Sequence, residues 1–343
     1  MTAPVLVTRD PALLDELRRL AAAAGVPLET ERQVGTALRR WTSAPLVLVG
    51  TDVGVELAAL SPPRRAQVLL VGTAPVPDAA FRTAVALGVD EVVEVPSRSA
   101  WLTELLTDLG DDDPVPGRVV GVVAGSGGAG ATTFACALAQ VAARDGTAVV
   151  VDTDPLGPGA DRVLGLDGCP GVRWGDLGET SGRLGARSLR DALPSRAGLA
   201  ALTWETGTLG ELAPQVVRES LSAARRGHAL VVVDLARSAD PLVADVALRC
   251  DALVVVARST VASAAATVRV VGRFADHPSV SLVARGTETV AEQVASVAGL
   301  PLLATMRDQR GLVERVDLGL GPVRGRRGPL ARAARCVLDQ VAG

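Results

Sequence analysis

Gly125-Ser126-Gly127-Gly128-Ala129-Gly130-Ala131-Thr132-Thr133 is the stretch of this sequence best equipped for chemistry. It fits the phosphate-loop pattern G-x-x-x-x-G-K-[ST] at every fixed position except the lysine, where Ala131 stands. The four glycines allow successive backbone N–H groups to turn toward a phosphate. A helix starting just after them adds roughly half a positive charge at the same spot. Thr132 is placed to offer its hydroxyl to Mg²⁺. Ala131 cannot supply the ammonium that reaches the β- and γ-phosphates and stabilises charge during transfer. No lysine occurs in the 343 residues, and all 35 Lys/Arg positions are arginine, so no other lysine of the chain replaces it. The expectation is a loop that holds ATP or ADP and hydrolyses slowly or not at all.

The loop needs a strand before it and a helix after it. Val119–Ala124 is short, apolar and β-branched, the pattern of a buried parallel strand. Thr132–Ala143 reads as a helix ended by Gly146. The uncharged run from Val119 to Ala143 is long enough to span a bilayer, but its central glycines and strand-like first half point to protein core.

At these residues the chain resembles the ParA/MinD family of deviant Walker-type ATPases. The family loop K-G-G-x-G-K-T-[ST] matches Ser126 to Thr133, with Ser126 at the early signature lysine and Ala131 at the loop lysine. Ala148–Val151 followed by Asp152-Thr153-Asp154-Pro155 is similar to the family's D-x-D-P. That resemblance implies that Asp154 orients the attacking water and that Asp152 sits beside the metal. Ala229–Asp234 looks like the Walker B strand, which makes Asp234 a holder of Mg²⁺ through water. Arg285, after the strand Ser281–Ala284, stands where the family usually has an adenine-reading asparagine. Within the family the chain looks most like the CpaE/TadZ branch, on three features. Its loop ends G-A-T-T, the run from Leu156 to Gly165 and then Pro170 to Trp174 looks like that group's, and a receiver-like module comes first. The implied function is nucleotide-biased dimerisation that positions Flp/Tad-type pilus or secretion machinery or a division septum. A scaffold without turnover is the alternative.

Residues 1–109 alternate strands (Val5–Thr8, near Leu28–Thr30, Leu46–Gly50, Val68–Gly72, Glu91–Val95) with helical segments such as Leu13–Ala23 after the cap-like Asp10-Pro11. This looks like a flavodoxin-like response-regulator receiver. Its phosphoacceptor position is Gly50 and its lysine position is Val95, so inert chemistry is expected, with Asp52, two residues beyond the expected place, as the alternative acceptor. Residues 110–117 read as a linker, and 118–343 as a doubly wound, mostly parallel ParA/MinD-like domain. The segment from Gly165 to about Ser195 is expected to be irregular, with Trp174 as a core anchor, and Arg162, Arg173 and Arg258 are candidates to replace the missing cation. Leu330, Ala334, Val337, Leu338 and Val341 share one face of a terminal helix from Pro329 to Val341, read as docking on the domain's own sheet.

A net charge of −3 gives no drive toward nucleic acid, so none is expected as a partner. Cys136, Cys169, Cys250 and Cys336 are scattered, without metal or disulfide spacing. Met1-Thr2-Ala3-Pro4 lacks a basic region ahead of an apolar core, so no signal peptide is expected. The expected setting is the cytoplasm, with recruitment to a membrane face, pole or septum through partners.

Overall fold

A computed structural model of the chain describes residues 3–110, 117–178, 184–205 and 212–342. Contacts divide it into two compact units, Met1–Pro114 and Val115–Gly343. Most of the segment read as a linker (111–116) lies outside the described residues.

In the first unit the chain runs β1 (Val5–Val7), α1 (Pro11–Ala23), β2 (Glu29–Glu31), α2 (Val34–Leu38), β3 (Val47–Gly50), α3 (Thr51–Ala59), β4 (Val68–Thr73), α4 (Asp78–Leu87), β5 (Glu91–Val95) and α5 (Ser99–Gly110). The five strands are parallel, in the order β2-β1-β3-β4-β5, which is the flavodoxin and receiver arrangement. Asp10 caps α1 by accepting from the N–H of Ala12 and Leu13, and Pro11 takes the first helical position, as the sequence suggests. Leu13, Leu17 and Leu20 on α1 pack with Leu102, Leu105 and Leu106 of α5 on one face of the sheet.

The second unit contains β6 (Arg118–Ala124), α6 (Ala131–Ala142), β7 (Ala148–Asp152), α7 (Ala160–Leu164), α8 (Trp174–Leu177), α9 (Ala186–Ala192), β8 (Ser195–Arg196) and β9 (Leu199–Leu202). It continues with α10 (Pro214–Gly227), β10 (Leu230–Leu235), α11 (Pro241–Ala247), β11 (Ala252–Arg258), α12 (Val261–Val271), β12 (Val280–Arg285), α13 (Glu288–Ala298), β13 (Leu302–Met306), α14 (Leu312–Asp317) and α15 (Pro329–Ala342). The eight strands lie in the order β13-β12-β11-β6-β10-β7-β9-β8, all parallel except the β8–β9 pair at the edge. Side chains alternate between two cores. Val149, Val151, Val231, Val233, Leu253 and Val255 meet α10, α11 and α13, while Val150, Val232, Val254 and Val256 meet α6 and α15. Burial on both faces is why these strands read as unbroken aliphatic runs.

α6 is buried nearly all round, from Phe134 to Leu138 and beyond, which explains its lack of charge. The uncharged run therefore divides between a sheet strand, a loop and a core helix, and no described helix is long and apolar enough to cross a membrane. Leu330, Ala334 and Val337 of α15 are buried in the core shared with α6, so the apolar face of the terminal helix is docked within its own domain. The segment from Gly165 to Ser195 is more ordered than expected. It includes α8 and α9, because Trp174, Leu177 and Leu189 each bury a side chain in the same core, while residues 179–183 lie outside the described residues.

His228 follows α10 with its ring 5% exposed and Nδ1 3.1 Å from the Ala224 carbonyl. Burial, aided by the charge of Arg190 and opposed by the carbonyl contact, lowers its pKa to about 4 from 6.5. The unfolded chain then binds the extra proton between these values, so stability falls as pH drops through that window, by about 3 kcal/mol in all. Chemical denaturation across that range is expected to show a shallower slope for His228→Gln, and an unchanged slope would contradict this.

Candidate functional site

Residues 125–130 join β6 to α6 at the carboxyl end of the sheet, where ligands sit in open α/β folds. Gly128 (φ 69°) and Gly130 (φ 92°) occupy left-handed backbone that side-chain-bearing residues rarely adopt, and this turns the loop into the helix. Among the described residues, the N–H groups of Gly127, Gly128 and Gly130 have no protein acceptor. Ser126, by contrast, is turned inward, its Oγ 2.7 Å from Ser263 Oγ on α12. Ala131 is the first residue of α6, with its methyl buried in the α6–α15 core. Thr132 and Thr133 follow in the first turn, and Thr133 lines the adjacent cleft together with Ala129.

The three carboxylates differ sharply in environment. β7 and β10 are neighbours in register, which brings Asp152 opposite Asp234. Asp152, 1% exposed, accepts from Asp154 N (3.1 Å), Ala160 N (3.0 Å) and Thr203 Oγ1 (2.8 Å), so its oxygens brace the loop from β7 to α7. Trp174 Nε1 donates to the Asp152 carbonyl at 2.7 Å, which makes this core anchor part of the same brace. Burial raises the Asp152 pKa to about 6 against those hydrogen bonds. Asp154 is half-buried, and its Oδ1 accepts from Leu156 N at 3.0 Å.

Asp234 is 2% exposed, and among the described residues its Oδ2 has no partner. Burial, then the charges of Asp152 and Asp154, push its pKa up to about 8, opposed by a hydrogen bond with the Thr132 side chain. A buried carboxylate oxygen left unpaired is costly unless something positive meets it. Asp234 and Thr132 together offer hard oxygen donors, and no group of three His, Cys, Asp or Glu forms a closed cage among the described residues. That donor set fits Mg²⁺, which takes one or two protein oxygens and completes its shell with phosphate and water.

Beside the loop opens a cleft of ≈ 670 Å³, lined among others by Ala129, Gly130, Thr133, Arg285, Met306 and Asp308. Its size suits a nucleoside. Arg285 Nε donates to Asp308 Oδ1 at 2.5 Å, and this contact, with further help from Arg258, holds the Asp308 carboxyl below its ordinary range.

Residues 7–117 match the family described as "Rv3660c-like, CheY-like N-terminal domain". Protein Rv3660c of Mycobacterium tuberculosis H37Rv is 36% identical over 337 residues, spanning 96% of this chain and 95% of the relative. The chain belongs to the Rv3660c-like family. The fold of the second unit matches a ParA family ATPase from Chlorobium tepidum (TM-score 0.58, 17% identity, 66% of this chain and 98% of that one). It also matches the septum site-determining protein MinD of Pyrococcus horikoshii complexed with Mg-ADP (TM-score 0.55, 18% identity, 66% and 97%). This Rv3660c-like chain thus joins a receiver-like N-terminal unit to a second unit with the fold seen in ParA and MinD ATPases.

Of the arginines suggested by sequence, Arg173 is engaged with Asp161 (3.0 Å, both nearly buried), and Arg162 also has an interaction partner. Arg258 is exposed at the end of β11, and its charge is felt at Asp308. Sequence reading missed Arg237, whose Nη2 lies 4.0 Å from where a Cβ on Gly127 would stand. The available signal was its position three residues after Asp234.

In the receiver-like unit, Asp52 folds back over the place of the phosphoacceptor. A Cβ on Gly50 would lie 2.2 Å from Asp52 Oδ1 and 2.7 Å from Thr8 Oγ1. Both Asp52 oxygens are engaged, accepting from Thr8 Oγ1 (2.8 Å) and Arg9 N (2.7 Å), and Arg9 pairs with Glu56. Wild type is therefore expected to take no label from acetyl phosphate. Gly50→Asp should destabilise this unit by about 1–3 kcal/mol through overpacking, and Asp52→Ala in the same chain should recover part of the loss. Label on Asp52, or additive losses in the double variant, would refute this account.

Proposed function

We propose that this protein is a nucleotide-binding positioning factor whose weak or absent hydrolysis leaves binding itself as the signal. ATP or ADP lies against Gly125 to Thr133, with Mg²⁺ held by Thr132 and Asp234 and with Asp152 bracing the neighbouring loop. The base enters the cleft beside Arg285. Mg²⁺ there offsets the Asp234 charge and screens the phosphates, while Asp154 is the residue that would orient water. The observation that carries this reading is the unpartnered, buried Asp234 Oδ2 beside Thr132, at a glycine loop where, among the described residues, the Gly127, Gly128 and Gly130 amides face no protein acceptor.

Nucleotide favours a homodimer formed through the loop face. Two large apolar side chains are exposed near that end of the sheet, Leu156 at 81% after β7 and Val261 at 89% at the start of α12. The receiver-like unit, residues 1–109, serves as the targeting surface for protein partners of a pilus, secretion or division complex, and membrane contact is indirect. A second reading, a scaffold that never turns nucleotide over, is favoured by Ala131 in a chain without lysine.

Thermal melting of the full chain with Mg-ATP tests the first step. Nucleotide at a hundredfold over its Kd adds about 2.7 kcal/mol. Light scattering should then show a nucleotide-dependent dimer that Leu156→Glu weakens. No shift with millimolar ATP or ADP removes the positioning reading and leaves the scaffold.

A further inference from the structure

We propose that Arg237 supplies, within one chain, the cation that the phosphate loop lacks, by contacting the terminal phosphate of a bound nucleoside triphosphate. This rests on the nucleotide-site reading above and names the residue that completes it. β10 lies next to β6, so the segment leaving β10 passes beside the glycine loop. Arg237 stands three residues beyond Asp234 on that exit, with Nη2 4.0 Å from the position of a Gly127 Cβ. Gly127 and Gly128 are exposed at this tip, and the Gly127 N–H has no protein acceptor.

Three other arginines of this unit are already engaged. Arg173 pairs with Asp161, Arg225 with Asp251 and Arg285 with Asp308. Among the described residues Arg237 makes no ion pair or hydrogen bond. The hollow of ≈ 220 Å³ that Arg237 lines with Arg269 and Arg273 has no carboxylate in its lining. The segment is short and held in place, since Asp240 caps α11 and its N–H donates to Ser238 Oγ.

The two ends of the loop are served differently. Arg285 Nη1 is 3.9 Å from a Gly130 Cβ position, on the cleft side where the base and ribose fit. Arg237 is at the Gly127 end, after the carboxylate that would hold the metal. A guanidinium matches two phosphate oxygens in one plane, a geometry that an ammonium lacks.

Calorimetric titration of the full chain with Mg-AMPPNP and Mg-ADP tests this. Arg237→Ala is expected to weaken Mg-AMPPNP about tenfold or more, the scale of one charge-assisted contact, and to change Mg-ADP by less than about threefold. Arg237→Lys should retain part of the triphosphate preference. Ala131→Lys in the Arg237→Ala background should restore it. Melting without nucleotide should match wild type, which separates a phosphate contact from a folding defect. If wild type binds and Arg237→Ala binds both nucleotides equally well, or loses both equally, the assignment of Arg237 fails while the site stands. If wild type binds neither, the site reading fails and this proposal falls with it.

Discussion

Asp234→Asn is expected to melt higher than wild type at alkaline pH without nucleotide or Mg²⁺, and to lose the stabilisation that Mg-ADP brings. The carboxyl is 2% exposed, and one of its oxygens meets no donor. Burial first, then the charge of Asp152, raises its pKa from 3.8 to about 8. Between those values the folded chain binds a proton that the unfolded chain has released, so stability falls as pH rises and levels off beyond the upper one. Above it, the buried charge costs on the order of a few kcal/mol. Asparagine keeps the shape and a partner for Thr132 while removing the charge, so the gain of the variant should grow with pH and vanish in acid. Mg²⁺ competes with the proton for the same oxygens, and its stabilising effect on wild type should therefore also grow with pH. An asparagine variant that melts lower at alkaline pH, or that responds to Mg-ADP like wild type, would show that Asp234 is not the metal-facing carboxylate.

Ala131→Lys is expected to raise ATP turnover by roughly 10²-fold from a rate near background, the scale attached to one preorganised donor at developing charge. Ala131 begins α6 directly after the left-handed Gly130, where a lysine stem can run back along the loop and carry its ammonium toward the phosphates. The methyl of Ala131 is buried, so some loss of melting temperature should accompany the gain. The gain should require Asp154, whose Oδ1 accepts from Leu156 N while Oδ2 has no partner among the described residues. Adding Asp154→Asn to the lysine variant should return turnover to the wild-type level. Steady-state phosphate release measures both. Equal rates in wild type and Ala131→Lys would show that the loop cation does not limit this site.

Much of the architecture is written in local pattern. Aliphatic runs such as Val149 to Val151 and Val231 to Val233 declare strands buried on both faces, because burial on alternate sides asks for a hydrophobe at every step. The cap at Asp10, the glycine loop and the uncharged α6 declare themselves likewise, since turns, caps and helix burial depend on neighbours a few residues apart. α8 and α9 were less legible: their helices are short, and the Gly- and Arg-rich composition around them masks the few side chains that anchor them.

The sequence by itself determined that there is a phosphate-type loop, that no lysine serves it, and that a receiver-like module lacks its acceptor at Gly50. Tertiary structure alone decided how the charges are shared. Ser126 meets a serine 137 residues away, and Asp152 is satisfied by Thr203 just beyond β9. Asp234 is left with an unpaired oxygen, and Arg237 comes to lie beside Gly127. Hydrophobic periodicity records which side of an element faces inward, but hydrogen bonds and ion pairs depend on distances between elements far apart in sequence. Only the sheet order sets those distances.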